Sequence, residues 1–257
     1  MNFSMETRVN EIALSNPEAR RVLEDAGVDY CCGGRRSLRD ACLRAGAAAD
    51  DVLNRLRENT ALGEAGDSDW ANASLAELTR HIRERHHGYV RESIPRVRAL
   101  LAKIHEKHGP KSGEIGEIEK LFGDLAREMT AHIQKEEQIL FPYIRQMEEA
   151  GLENEPAPPA MFGTVANPIR MMEREHDGAG DALRTLRATT KDYTLPEDAC
   201  TSYGVLFESL KNFEADLHQH IHLENNVLFP RAVVMEAAKQ DERVLTRRSA
   251  LSRPPGQ

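Results

Sequence analysis

The sequence predicts an all-α protein in which a small helical N-terminal domain precedes an up-down-up-down four-helix bundle. The first observation is a repeat, because HIQKEEQILFP at residues 132–142 returns as HIHLENNVLFP at residues 220–230. The second is a shorter pair, ERHH at 84–87 and EREH at 173–176, which precedes each copy at nearly the same distance. The third is that turn and capping residues divide the remaining chain into helical segments. A helix pair used twice explains the repeats.

Composition and charge exclude several classes of protein. The 257 residues carry a formal net charge of −8, which disfavours binding to nucleic acid or anionic membranes because both require a basic surface. The chain contains no run of 18 apolar residues and no apolar segment at its start that would resemble a signal peptide. Four cysteines in a chain of this length do not make a disulfide framework. We therefore expect a cytoplasmic protein with no nucleic-acid partner and no membrane association.

Residues 1–58 are predicted to form the small helical domain. Asn16 and Pro17 form a helix start, since asparagine is a good N-cap and proline is favoured at the first helical position. Ser37 can cap a second helix that ends at Gly46, and a last helix begins near residue 50. A domain this small has a thin core, so we expect it to depend on the rest of the chain or on a partner.

The N-terminal domain contains the sequence DYCCGG at residues 29–34. Adjacent cysteines do not readily bond to each other because their side chains diverge, and the two glycines are expected to leave both thiols near the surface. Cys31 and Cys32 are therefore either small apolar side chains at a turn or reactive thiols for metal, redox or nitrosyl chemistry. The spacing favours the second interpretation, and the positive charge of Arg35 and Arg36 would favour thiolates.

Residues 59–73 are rich in Gly, Asp and Asn and are predicted to be a linker. The bundle is assigned to residues 74–240, and residues 241–257 are predicted to be a disordered tail. Ser74 and Glu77 form a capping box at the start of the first bundle helix, and Pro95 is expected to kink or break that helix. The other three bundle helices are predicted to begin near Ser112, at Asn167-Pro168 and at Leu195-Pro196.

The repeat selects six candidate metal ligands: His87, His132, Glu136, His176, His220 and Glu224. Positions i and i+4 share one face of a helix, so each His-x-x-x-Glu motif presents an imidazole and a carboxylate side by side. A single histidine or a single pair of this kind is usually an ordinary surface or core feature. Recurrence in one register on four helices would instead bring the six side chains together inside the bundle, where unpaired carboxylates are costly. A bound cation would compensate them.

The donor types indicate which metal is expected. Imidazoles and carboxylates without thiolates suit iron or manganese, whereas zinc prefers four donors and would leave two of the six unused. Six donors divide naturally between two ions, with two histidines on each ion and Glu136 and Glu224 bridging them. We therefore expect two ions of iron or manganese, with positions left for an oxo or hydroxo bridge and for a small ligand.

Some positions in the motif remain ambiguous. Helical periodicity favours His86 as the first ligand, whereas the register of the repeat favours His87, and we choose His87. His218 and His222 form a further i, i+4 pair that has no counterpart in the first half, so their role is left open. Glu84, Glu137 and Glu175 are candidates for orienting the ligand imidazoles, although a solvated surface position is the simpler interpretation for each.

With these residues in hand, the chain resembles the repair-of-iron-centres family, the ScdA/YtfE type of di-iron proteins. The resemblance covers nearly all of residues 1–240 and is carried by DYCCGG at 29–34 and by ENNVLFPR at 224–231. It implies a hemerythrin-like bundle with a non-haem di-iron centre and a role in the recovery of iron–sulfur clusters after nitric oxide or oxidative damage. The family's iron ligands fall on the same six residues, and its cysteine pair falls on Cys31 and Cys32.

Three classes of function are compatible with these features. The first is a stress-response protein that repairs damaged iron–sulfur proteins, its clients, by iron donation or nitric oxide removal. The second is a cytoplasmic scavenger or sensor that binds nitric oxide or dioxygen and is linked to denitrification. The third is an enzyme that reduces nitric oxide or peroxide, so enzymatic activity is left open, as is a homodimer. The cysteine-containing domain favours the first class, since a gas carrier has no need of a second domain with thiols.

Overall fold

The computed structural model describes residues 3–60, 70–108, 113–153, 155, 158–197 and 199–238. Within these ranges the regular structure is helical, and extended backbone pairs only in an antiparallel bridge between Arg8 and Ser37. The prediction of an all-α fold is thus confirmed. No helix among the described residues is long and apolar enough to cross a membrane. The predicted tail at 241–257 and most of the predicted linker lie outside the described residues.

The N-terminal domain contains four helices, α1 to α4, which span Val9–Ser15, Pro17–Asp25, Leu38–Ala45 and Ala49–Thr60. The two predicted caps are present, because Asn16 accepts a hydrogen bond from the backbone of Ala19 at 2.7 Å and Ser37 accepts one from Asp40 at 3.2 Å. Gly46 ends α3 with a φ of 68°, in the left-handed region that favours glycine. Helix α1 was not predicted, and α4 extends two residues beyond the predicted end of the domain.

Four long helices form the bundle, and three of them are interrupted by a π-helical turn. Helix α5 consists of Leu75–His81, the π turn Ile82–His87, and Gly88–His108. Helix α6 consists of Gly113–Lys135, the π turn Glu136–Leu140, and Phe141–Leu152. Helix α7 spans Ala166–Thr189, and α8 consists of Thr201–Leu223, the π turn Glu224–Leu228, and residues 229–238.

The predicted break at Pro95 and the predicted start of the last bundle helix are wrong. Pro95 neither ends nor interrupts the segment Gly88–His108. It lies on the exposed face, while Ile94 and Val97 on the opposite face pack into the core and hold the helix in place. Helix α8 begins at Thr201 rather than at Leu195-Pro196, because the chain from Pro196 forms only an isolated turn before the helix starts.

The predicted ligands form a polar layer between two apolar clusters. One cluster lies on one side of the layer and includes Val90, Ile133 and Ile221. The other lies on the opposite side and includes Ile82 and Leu223. Helix α5 packs against α8, and α6 packs against α7. Buried apolar side chains above and below the layer keep water away from it and strengthen the electrostatic interactions within it.

The N-terminal domain is docked on the bundle. Cys31 belongs to one of the bundle's apolar clusters, and the side-chain amide of Asn226 donates to the carbonyl oxygens of Tyr30 at 3.3 Å and Cys31 at 3.1 Å. The Tyr30 ring also meets the edge of the His222 ring, with 5.3 Å between centroids. The N-terminal domain therefore packs directly against the bundle, and its dependence on this contact stays a prediction.

Candidate metal centre

The six predicted ligands meet in the middle of the bundle, and all are at most 1% exposed. Helix α5 contributes His87, α6 contributes His132 and Glu136, α7 contributes His176, and α8 contributes His220 and Glu224. They form two groups of four whose ligand atoms lie within 4.8 Å of one another: His87, Glu136, His220 and Glu224; and His132, Glu136, His176 and Glu224. Both glutamates are shared by both groups.

The π-helical turns place three of the six ligands. His87 is the last residue of the first π turn, whereas Glu136 and Glu224 begin the second and third. A π turn contains one residue more than an α turn, so it shifts the face of every following side chain, and such turns are frequent at functional sites. The shift in α5 explains why simple periodicity favoured His86. The structure brings His87 to the centre and places His86 beside it, where its Nδ1 pairs with Asp216 Oδ1 at 3.0 Å.

Three of the four histidines are held from outside by a hydrogen bond at Nδ1. The partner of His87 is Glu137 Oε1 at 2.8 Å, and the partner of His132 is Glu175 Oε2 at 2.9 Å. The partner of His176 is Asn225 Oδ1 at 2.8 Å. Carboxylate and amide oxygens accept, so each Nδ1 donates, and each Nε2 is then left with a lone pair that points into the centre.

The centre is therefore crowded with acceptors. His87 Nε2 lies 3.1 Å from His220 Nε2, and His132 Nε2 lies 3.0 Å from His176 Nε2. Within the described part of the chain, neither oxygen of Glu136 has a hydrogen-bond partner. Convergent lone pairs and uncompensated buried carboxylates are unfavourable unless a cation lies between them. The donor set thus fits bound metal ions, and imidazole with carboxylate is a donor set that suits iron.

The pKa values show how protons compensate the same charges when no metal is bound. Burial alone lowers the pKa of His132, but the carboxylates of Glu136, Glu175 and Glu224 outweigh it and raise the pKa to about 10. Burial likewise lowers the pKa of His220, and Glu224 reverses this and raises it. The imidazoles in turn keep the pKa of Glu224 well below its usual value despite burial, which acts to raise it. Without a metal, the raised pKa values of His132 and His220 favour their protonated forms, which pair with the buried carboxylates.

Sequence reasoning identified some of the orienting residues and missed others. Glu137 and Glu175 hold ligand imidazoles, as considered, and each also pairs with a cation, Arg91 at 2.6 Å and Lys135, respectively. Glu84 is exposed and lies outside the centre. Asn225 was missed, although the repeat contains the signal, because Asn225 follows Glu224 as Glu137 follows Glu136.

The cysteine pair differs from expectation. The thiols do not diverge, since the two Sγ atoms lie 3.9 Å apart, and Cys31 is buried while Cys32 is only half-buried. The hydrogen bond to Cys32 and burial raise the pKa of the Cys31 thiol well above its usual value. Arg36 approaches the Asp29 carboxylate at 3.9 Å. The prediction of two surface thiols activated by positive charge is therefore wrong for Cys31.

His218 and His222 belong to the interface between the domains. The His218 ring lies edge-on to Tyr30, with 6.4 Å between centroids. Burial lowers the pKa of His222 to about 3, so this histidine is neutral behind the Tyr30 ring. Neither histidine belongs to the two groups of four that share the glutamates.

Two family models match the two parts of the chain. Residues 79–232 match the hemerythrin HHE cation binding domain, and residues 5–60 match ScdA_N, which is described as a domain of unknown function. The chain belongs to the ScdA/YtfE family of hemerythrin-type proteins. The match to the cation binding domain includes all six candidate ligands, so the family assignment and the geometry of the centre agree.

Similar proteins match along nearly their whole length. A protein of Haemophilus influenzae named probable iron-sulfur cluster repair protein is 34% identical over 91% of this chain and 99% of its own length. The iron-sulfur cluster repair protein YtfE of Cronobacter sakazakii is 35% identical over 89% of this chain and 96% of its own. The protein of the same name from Escherichia coli is 36% identical over 89% and 97%. The resemblance stated from the sequence motifs is confirmed.

Proposed function

We propose that this protein holds two non-haem iron ions and acts in the repair of iron–sulfur clusters damaged by nitric oxide or oxidative stress. The observation that carries the metal proposal is the division of six buried donors into two groups of four that share both glutamates. One ion would be held by His87 and His220 and the other by His132 and His176, with Glu136 and Glu224 bridging. Four protein donors on each ion leave coordination positions for a bridge and a small ligand such as nitric oxide or dioxygen.

The chain's own residues would keep the centre accessible to exchange. Two glutamates supply two negative charges against two divalent ions, and the four histidines bind as neutral imidazoles. A centre with more carboxylates would hold the ions more tightly. Bound iron would supply redox chemistry and affinity for small ligands, while Glu137, Glu175 and Asn225 orient the imidazoles. These properties support iron donation or nitric oxide removal better than permanent storage.

The relatives support the choice of repair among the three functions. Their names refer to repair of iron–sulfur clusters, and they share both domains with this chain. We propose that the clients are damaged iron–sulfur proteins of the cytoplasm. We further propose that the domain containing Cys31 and Cys32 is needed, since it is packed directly against the bundle that holds the centre.

The deciding experiment is reactivation of an iron–sulfur enzyme inactivated by nitric oxide. The iron-loaded protein should restore activity, whereas the metal-free protein and a Cys31→Ser, Cys32→Ser variant should restore much less. Cys200→Ser provides a matched control, because Cys200 is also half-buried but lies at the start of α8. If no preparation restores the enzyme and the loaded protein binds nitric oxide tightly, the scavenger interpretation replaces repair. If the cysteine variant restores it fully, the two-domain mechanism is wrong.

A further inference from the structure

The loop that carries the two thiols is held in one conformation by a single carboxylate oxygen. Asp29 Oδ1 accepts hydrogen bonds from the backbone nitrogens of Cys31 at 3.1 Å, Cys32 at 2.9 Å and Gly33 at 3.0 Å. The tight bend turns both thiols towards the same side, although adjacent side chains in extended backbone point to opposite sides. The Cys31 Sγ lies 3.9 Å from the Cys32 Sγ and 3.4 Å from Asp29 Oδ1.

These separations match the edges of a tetrahedral metal site. With metal–sulfur bonds of about 2.3 Å and metal–oxygen bonds of about 2.1 Å, a tetrahedron has sulfur–sulfur edges of about 3.8 Å and sulfur–oxygen edges of about 3.6 Å. The observed distances of 3.9 Å and 3.4 Å differ from these by a few tenths of an ångström. All three donors, one from each residue, lie within 4.8 Å of one another. A loop cap explains the position of Asp29, but it does not require the thiols to converge.

The thiol pair opens onto a cavity of about 370 Å³ between the two domains. Its walls contain five carboxylates, those of Glu24, Asp25, Asp29, Asp192 and Glu214, against three cationic side chains. Arg55 and Arg36, from outside the lining, pair with Asp25 at 2.7 Å and Asp29 at 3.9 Å, so the carboxylates of the cavity are balanced by cations. The cavity provides an open approach to the two thiols and room for a fourth ligand.

We propose that Asp29, Cys31 and Cys32 form a second metal site, which takes one divalent cation that accepts thiolate ligands. The cation would bind both sulfurs and one carboxylate oxygen, and its fourth position would face the cavity. Two metal–sulfur bonds form as two S–H bonds are broken, and the two protons leave through the cavity to solvent. The site shares no residue with the His and Glu centre and does not depend on that centre holding iron.

Cobalt(II) is the probe that tests the site in the full-length protein. Cobalt bound by thiolate has a charge-transfer absorption in the near ultraviolet, which cobalt bound only by imidazole and carboxylate lacks. Titration of the reduced protein should develop this absorption up to one cobalt per chain. The absorption should be lost in Cys31→Ser and in Cys32→Ser, and retained in Cys200→Ser and Cys42→Ala. Zinc or ferrous iron, added in competition, should bleach it if either ion occupies the same site.

Asp29→Asn separates the metal site from the loop cap. Asparagine keeps an oxygen that can accept the three backbone hydrogen bonds but loses the negative charge, so the loop should persist while cobalt affinity falls by about 10-fold or more. Iron content and far-ultraviolet circular dichroism verify that each variant folds and retains its His and Glu centre. The proposal is overturned if wild-type protein shows no thiolate absorption, or if the Cys31→Ser, Cys32→Ser variant shows it undiminished. Normal iron loading alongside either result would leave the proposed function standing.

Discussion

The two repeated helix pairs of the bundle, α5 with α6 in the first half of the repeat and α7 with α8 in the second, carry equivalent candidate ligands but do not support them equally. In each half, the residue after the shared glutamate holds the histidine of the preceding helix at Nδ1. Glu137 holds His87 at 2.8 Å, and Asn225 holds His176 at 2.8 Å. One partner is an anion and the other a neutral amide. An anionic partner makes the imidazole a stronger donor to a metal. The two copies of the repeat therefore share the geometry of this hydrogen bond but differ in the charge of the partner.

A larger difference concerns the other two histidines. Glu175 in the second half holds His132 at 2.9 Å, but the corresponding position in the first half is occupied by His86. His86 stacks on His220 with 5.8 Å between ring centroids, pairs instead with Asp216, and leaves His220 Nδ1 without a hydrogen-bond partner among the described residues. The group containing His87 and His220 thus has one oriented imidazole, whereas the other group has two. We expect the two ions to be held with unequal affinity.

The largest effect is expected from removing a glutamate that both groups share, because both metal sites should then be lost together. Replacing Glu136 or Glu224 with Ala removes a ligand that belongs to both groups, so each single variant should lose nearly all of its iron. Metal analysis of the purified variants provides the measurement. Glu84→Ala is the matched control, because Glu84 is exposed and should leave the iron content unchanged. Near-normal iron in either shared-glutamate variant would contradict the bridging assignment.

Removing one histidine should affect one ion more than the other. His132→Ala and His220→Ala should each lower the binding affinity for one ion, because a direct ligand is lost. The decrease should be at least the ~10–100-fold that accompanies loss of an orienting partner. Isothermal titration with ferrous iron should then resolve one retained site and one weakened site. Full iron loading in the double variant would rule out the assignment. A parallel comparison of His86→Ala and His87→Ala tests the choice of first ligand, since only the His87 variant should lose its ligand.

Substitution of an orienting glutamate should give a smaller effect that reveals the inequality. Glu137→Gln and Glu175→Gln each keep a side-chain acceptor and remove its charge, so each should weaken metal binding by up to about 10–100-fold. Glu137→Gln should be the more damaging of the two, since it affects the group that has only one oriented imidazole. Stepwise titration of both variants checks this order. Equal losses would mean that the stacked His86 supports His220 as well as a hydrogen bond would.

The metal-free protein should show a pH dependence that the loaded protein lacks. The pKa of His132 is about 10 in the folded chain, above its value of about 6.5 when unfolded. The folded state therefore binds this proton more tightly, so the stabilisation is complete below about pH 6.5 and is lost as the pH rises towards 10. Denaturant unfolding of metal-free protein between pH 6 and 10, with His132→Gln as the comparison, measures it. A flat profile for metal-free wild type would contradict the pairing of protonated His132 with the buried carboxylates.

The smallest expected effect concerns a residue that only one half of the repeat uses. Asn226 holds the thiol loop through Tyr30 and Cys31, whereas the corresponding residue of the first half, Gln138, is exposed. Loss of a hydrogen bond worth about 1 kcal/mol should raise the labelling rate of the thiols about fivefold in Asn226→Ala. Gln138→Ala should not change it. In wild type, half-buried Cys32 should react faster than Cys31. Equal labelling rates in Asn226→Ala and Gln138→Ala would show that Asn226 does not hold the thiol loop in place.

The sequence by itself determined most of the helices, the repeat and the set of six candidate ligands. Capping at Asn16, Ser37 and Ser74 is local, since each side chain bonds to a backbone group three residues away, and so it can be recognised without the fold. The repeat identified the candidate ligands because a chemical requirement at one position recurs at the same position of a duplicated unit. Both kinds of information are carried by short spacings along the chain.

Only the tertiary structure decided which side chains face each other. The choice of His87 over His86 depends on a π turn in α5, and nothing local in residues 82–87 distinguishes such a turn from an α turn. The helix adopts it where ligands on the other three helices define the centre, and that geometry exists only in the assembled bundle. The burial of Cys31 likewise depends on the bundle, where Asn226, 195 residues away in the sequence, donates a hydrogen bond to the Cys31 carbonyl oxygen. Contacts across such distances are made by packing, which has no signature in a local pattern.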